Sequence, residues 1–250
     1  RDQAFERYGL SEQEVEELLL HQPDPAAHPE ADAVFLLDDE VTHVFQDGSA
    51  AHLVRQVYLV RTEKGQRRFN ELRVPWGASF HLEAAETIKP DGARQEATSI
   101  RRGVIHFPSL EPGSLLHVAY RYESSSSSWM EDHFSMPFNF QGSIPSLRGR
   151  WVLVMPADKQ LEVLRRGDCI RERREMLGDE KVFIWTAVGP VSVTDSSQAD
   201  TSYGNQDPDL SDDAMTIAMA ARPTAFIVSA ANTNTSSTPK NTPINTFGFI

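Results

Sequence analysis

One thiol, Cys169, is the only residue in this sequence on which cysteine chemistry could be built, and it sits in Gly167-Asp168-Cys169-Ile170. A Cys-His hydrolase or acyl transferase needs a thiolate, a histidine within hydrogen-bond reach and a third group orienting that histidine. The surrounding LEVLRRGDCIRERREM reads as strand, turn and strand, whereas a nucleophilic cysteine usually gains its lowered pKa from a helix N-terminus or a positioned histidine. Arg165, Arg166 and Arg171 could also lower it, but so highly charged a hairpin is expected at a solvated edge. Cys169 is therefore expected to be dispensable. A single cysteine also excludes an intrachain disulfide and a cysteine-based metal cluster.

The acids and histidines form three candidate groups. Asp38-Asp39-Glu40 with His43 offers oxygen and imidazole donors, as do Glu131-Asp132-His133 and the pair His81 and Glu83. Adjacent strand residues point to opposite faces, so each run supplies at most two convergent ligands, although His81 and Glu83 are expected to share a face. The first run reads as a hairpin turn, and all three read as solvated charge, with no metal and no cofactor expected. Phosphate loops, G-x-S-x-G elbows and H-E-x-x-H motifs do not occur, and the eight histidines are scattered singly. Aromatic residues gather in Trp129-Met130 and across Phe134, Pro137, Phe138 and Phe140, after the serine run from Ser124 to Ser128. Exposed on a strand, such rings would stack on sugars, which makes a carbohydrate-binding or cell-surface adhesion module the alternative function. The spacing of Phe138 and Phe140, two apart on one face, is also that of side chains buried together.

Composition bounds what could position these groups. The chain has 250 residues, a formal net charge of -12 and 40% hydrophobic residues, enough for one large or two small domains. With 36 acids against 24 bases there is no basic surface to neutralise phosphates, so nucleic acid is not expected as a partner. The charge is uneven: residues 1 to 30 hold eight acids and two arginines, and residues 191 to 250 hold six aspartates, one arginine and one lysine. The chain starts at Arg1, and RDQAFERYGL has no apolar run of the signal-peptide kind, which reads as an excised piece of a longer protein. No window approaches the roughly 18 apolar residues of a membrane helix, so no membrane insertion is expected in this segment.

Three regions follow. Residues 1-30 are expected to be a helical connector: Ser11 and Glu14 make a capping box, and Val15, Leu18 and Leu19 share one face before Pro23 and Pro25. Residues 31-190 carry about ten strand-like segments, with turn signals at Asp47-Gly48, Glu63-Lys64-Gly65, Pro90-Asp91-Gly92 and Glu111-Pro112-Gly113. Short connections of this kind predict an all-β fold, an antiparallel two-sheet β-sandwich with a short N-terminal helical lead-in. Residues 191-250, with 22 Ser, Thr and Asn, predict a disordered, removable polar tail or linker, with MTIAMAA and TAFIVSA as apolar islands able to add an edge strand.

The ordered phrases ADAVFLLDDEVTHVFQDG, VRQVYLVRTEKG, LEAAETIKPDG, FPSLEPGSLLHVAYRYE and FNFQGSIPSLRGRWVLVMP resemble the bacterial domain of unknown function that precedes transglutaminase-like domains. The resemblance covers about residues 31 to 190. It implies a β-sandwich in a secreted, periplasmic or membrane-linked protein, ahead of a papain-like domain whose Cys, His and Asp are not in this chain. Gly167-x-Cys169 copies that nucleophile's dipeptide spacing but lies in the N-terminal module, so no catalytic residue carries over. The expected function is a noncatalytic scaffold, not an enzyme, that positions substrate or the catalytic domain of the same parent, with protein or glycan as further partners.

Overall fold

The computed structural model describes residues 3-20, 29-77, 79-97, 99-126, 133-140, 144-165, 170-187 and 214-220. Two short helices open it, α1 (Gln3–Tyr8) and α2 (Glu12–Leu20). At the second, the capping box forms as the sequence predicts: the Ser11 N–H donates to Glu14 Oε2 at 2.8 Å, and the Glu14 N–H donates back to Ser11 Oγ at 3.2 Å. Val15 and Leu19 turn inward, while α1, which no cap announces in the sequence, buries Ala4, Phe5 and Tyr8. Among the described residues no helix is long and apolar enough to cross a membrane.

The rest is mostly β. The strands are β1 (Ala33–Val44), β2 (Ala50–Val60), β3 (Glu71–Arg73), β4 (His81–Ile88), β5 (Arg94–Glu96), β6 (Ser99–Arg101), β7 (Val104–His106), β8 (Leu115–Ser124), β9 (Phe134–Asn139), β10 (Gly149–Pro156), β11 (Gln160–Arg165), β12 (Ile170–Leu177), β13 (Glu180–Ala187) and β14 (Ala214–Ala220). Eight form one sheet in the order β12-β13-β10-β1-β2-β8-β4-β5, and two three-stranded sheets, β3-β7-β6 and β11-β14-β9, accompany it. One side of the large sheet packs Tyr58, Val118 and Tyr120 under Leu72, Ile105 and Phe107 of the first small sheet and its surroundings. Farther along, Trp151, Leu153, Phe183 and Trp185 pack under Phe134, Phe138 and Phe140. The opposite side carries the helices: Phe5 and Tyr8 over Val41, Leu53 and Val152, and Leu10, Val15 and Leu19 over Leu37 and Val57.

Four expectations need correction. The described residues form three sheets rather than two, and β1 runs parallel to β10, Asp38 opposite Gly149 through His43 opposite Val154. Tight turns join only antiparallel neighbours, and here the chain reaches β10 by way of the distant β9, which permits the parallel pairing. Glu63-Lys64-Gly65 is not a turn but the start of α3 (Glu63–Phe69), capped by Thr62, whose Oγ1 accepts from the Gly65 N–H. Gly65 serves close packing there, since a Cβ would fall 2.2 Å from the Asp32 carbonyl oxygen.

β11 and β12, expected to pair as one hairpin, do not pair with each other among the described residues: β11 pairs with β14, whereas β12 pairs with β13. Alternation along each strand identifies the strand but not the sheet it joins. Finally, the apolar island at 215–220, expected at most as an edge strand, lies in β14, the middle strand of its sheet, with β11 on one side and β9 on the other. The remaining residues from 188 to 250 lie outside the described residues.

Candidate functional site

Strand β1 runs through the middle of the large sheet, so both of its faces are covered and its polar residues are carried into the interior on both. Alternation sends Asp38, Glu40 and Thr42 toward the small sheets and Asp39, Val41 and His43 toward the helices. The sequence reading of Asp38-Asp39-Glu40 as a solvated hairpin turn is therefore wrong. The run is mid-strand, with Asp39 at 0% and Glu40 at 8% exposure. A run of three acids outweighs the flanking Val, Leu and Phe in a reading by local composition, although those flanks were the correct signal.

On the small-sheet face the register places His52 of β2 opposite Thr42, and Gln56 opposite Asp38. The His52 Nδ1 lies 3.0 Å from Glu40 Oε1 and its Nε2 lies 3.0 Å from Ser124 Oγ at the end of β8. Thr42 Oγ1 donates to Glu40 Oε1 at 3.0 Å and accepts from Trp151 Nε1 at 3.1 Å. One tautomer closes the network: Nδ1–H donates to Glu40, and Nε2 accepts from the Ser124 hydroxyl. Gln56 Nε2 donates to Asp38 Oδ1 at 2.8 Å and takes the Tyr58 hydroxyl on its own carbonyl, also at 2.8 Å. Burial raises the Asp38 carboxyl to about 7, against the Gln56 hydrogen bond and with Glu40 and Asp39 adding to the rise.

Serine, histidine and glutamate in hydrogen-bond sequence are the order used by serine hydrolases, where histidine takes the serine proton and passes it to a leaving group. Here the His52 ring is 2% exposed and stacked on Tyr122, centroids 4.3 Å apart and 5° from parallel. A leaving group has no approach to Nε2. The chain of bonds satisfies buried polar atoms and ties β1, β2, β8 and β10 together.

The helix face balances its charge differently. Arg150 of β10 grips Asp39 with Nε at 2.5 Å and a terminal nitrogen at 3.1 Å, and that terminal nitrogen also donates to the Tyr8 carbonyl at 2.7 Å. Burial pushes the Asp39 carboxyl up, and Arg150 pulls it back. Tyr8 donates its hydroxyl to Glu175 at 2.6 Å, which docks α1 onto β12, and His43 Nε2 meets Glu180 at 2.6 Å. Between α1 and the end of the sheet opens a cleft of about 640 Å³, bordered by Arg7, Tyr8, Arg150, Arg171, Arg173 and Glu175 among others.

Of the remaining candidates, Glu83 is held by Arg55 and Arg121, and a register shift between Leu82 and Ala84 interrupts the alternation that would have paired it with His81. Phe134, Phe138 and Phe140 are buried, Phe138 stacking on Trp151 at 5.2 Å, so these rings present no open platform for a sugar. Cys169, Gly167, Asp168, Arg166, Trp129, Met130, Glu131 and Asp132 lie outside the described residues. No group of three or more potential metal ligands occurs among the described residues.

Comparison with protein-family models matches residues 46–190, more than half of the chain, to a domain of unknown function with solved structures, DUF3857. Comparison with curated proteins finds no match. Among solved structures, a candidate protease from Parabacteroides distasonis ATCC 8503 aligns with a TM-score of 0.61 at 14% identity, over 77% of this chain and 41% of that one. An M1 zinc metallopeptidase from Deinococcus radiodurans aligns with a TM-score of 0.37 at 12% identity, over 75% and 42%. The chain thus spans less than half the length of these structures, and the first likeness is one of fold alone.

Proposed function

The chain belongs to the DUF3857 family, and from that premise we propose that it is a noncatalytic interaction module of a larger bacterial transglutaminase-like protein. It positions substrate or the catalytic domain, in a periplasmic, secreted or membrane-linked setting. The two small sheets, lying over one side of the large one, are read as the divided second layer of a β-sandwich.

The observation that carries this reading is the commitment of the polar side chains of β1. The His52 network and the Asp39–Arg150 pair are spent on holding strands and α1 together, which leaves the outer strands of the large sheet for contact with other polypeptide. That the same fold occupies 41% of a longer solved chain supports a modular role. Calorimetric titration against the remainder of the parent polypeptide, with thermal melting of the mixture, tests it. Saturable binding and a raised melting temperature are expected. No heat of binding, no shift and no change in the parent's catalytic rate would overturn it.

A further inference from the structure

Strand β12 is the last strand of the large sheet. It pairs with β13 from Ile170 opposite Ala187 to Leu177 opposite Glu180, and on its other side no strand lies among the described residues. Eight residues of extended chain present about 26 Å of unpaired backbone at the usual rise. Proteins usually shield such an edge with charge, and here the shield holds Arg171, Arg173 and Arg174 with Glu172 and Glu175, one more base than acid.

Both glutamates are already engaged. Glu172 accepts from Trp185 Nε1 at 3.0 Å and from Arg165 at 2.6 Å, as well as from Arg174. Burial alone would raise its carboxyl, but these donors hold it below the ordinary value. Glu175 takes the Tyr8 hydroxyl, with Arg173 3.5 Å away. Arg171 makes no ion pair among the described residues. Arg171 and Arg173 stand two apart and border the cleft that Arg7 closes from α1, and at this point a chain of net charge -12 turns locally positive.

We infer that the open side of β12 receives an extended acidic peptide as an added antiparallel or parallel strand, its alternate carboxylates entering the cleft toward Arg171 and Arg173. Backbone hydrogen bonds to the edge give the affinity, and the two arginines select the side chains. A second copy of this chain is a poor occupant, because two arginine-rich edges and two net charges of the same sign would meet. The inference rests on the module reading only for which polypeptide supplies the peptide, and a synthetic peptide tests the surface without that polypeptide.

The probe is a fluorescein-labelled octapeptide alternating glutamate and valine, read by anisotropy against the whole chain at low salt. Saturable binding is expected, with amide exchange slowed over Ile170–Leu177. Arg171→Glu with Arg173→Glu is expected to weaken binding by about tenfold or more, and the milder glutamine pair to weaken it less. Replacing peptide glutamates with lysine, or methylating alternate backbone nitrogens, is expected to abolish binding. Absence of binding overturns the inference. So does equal binding of the methylated peptide, which would show ion pairing without strand addition, or binding that the arginine substitutions leave unchanged. None of these results bears on whether the chain binds its parent by another face, which the calorimetric titration reads.

Discussion

The two faces of β1 bury acids at neighbouring positions and treat them in opposite ways. Toward the helices, Asp39 is fully enclosed and meets Arg150 through two hydrogen bonds, so charge is opposed by charge. Toward the small sheets, Asp38 and Glu40 lie on one face and are met by the Gln56 amide, the Thr42 hydroxyl and the His52 ring, with no Arg or Lys bonded to either among the described residues. The matched face can lose neither partner without stranding the other. The unmatched face holds a carboxyl, Asp38, that burial keeps readily protonated, and it is correspondingly sensitive to pH.

The sharpest way to break this contrast is Arg150→Met, which leaves Asp39 buried without its cation. A loss of about 3–5 kcal/mol is expected in urea denaturation, with much of it recovered by adding Asp39→Asn. On the other face, His52→Leu strands Glu40 and the Ser124 hydroxyl but no countercharge. The expected loss is smaller, about 1–3 kcal/mol by the same measurement.

Asp38→Asn goes the other way. The folded-state value of about 7 lies above the unfolded 3.8, so ionising Asp38 opposes folding increasingly as pH rises through that window. The asparagine variant is expected to be more stable by roughly 1–2 kcal/mol at pH 8, allowing for the partial exposure of Asp38, and indistinguishable near pH 4. Denaturation curves at the two pH values check it, and equal gains at both would show that charge is not the cause. The smallest effect belongs to neither face: Ser11→Ala removes the cap of α2 and is expected to lower stability by about 0.5–1 kcal/mol in thermal melts.

Much of the fold was legible wherever a residue's role is local. Ser11 and Glu14 announced α2, and Asp47-Gly48 announced the turn between β1 and β2, where Gly48 takes φ 78°. What escaped depends on partners far along the chain. The acids of β1 read as a turn because nothing nearby reveals that Arg150, over a hundred residues away, closes on Asp39. His52 read as one scattered histidine because its partners Glu40, Ser124 and Tyr122 come from two other strands. A polar residue at every second position of a strand otherwise rich in Val and Leu was the available signal, since it places Asp38, Glu40 and Thr42 on one buried face. The departure of β12 from β11 carries no such mark, because sheet membership is set by which edge is open when the strand arrives.

Amide hydrogen exchange on the chain, alone and with the transglutaminase-like polypeptide proposed as its partner, tests most directly whether this molecule keeps its buried charge for the fold and offers its outer edge to a partner. Slowing over β12, Ile170–Leu177, with β1 and the His52 segment of β2 unchanged, is the result this account expects. Slowing centred on Glu40, His52 and Ser124 with β12 unaffected would contradict it, and would place the contact at the network read here as structural.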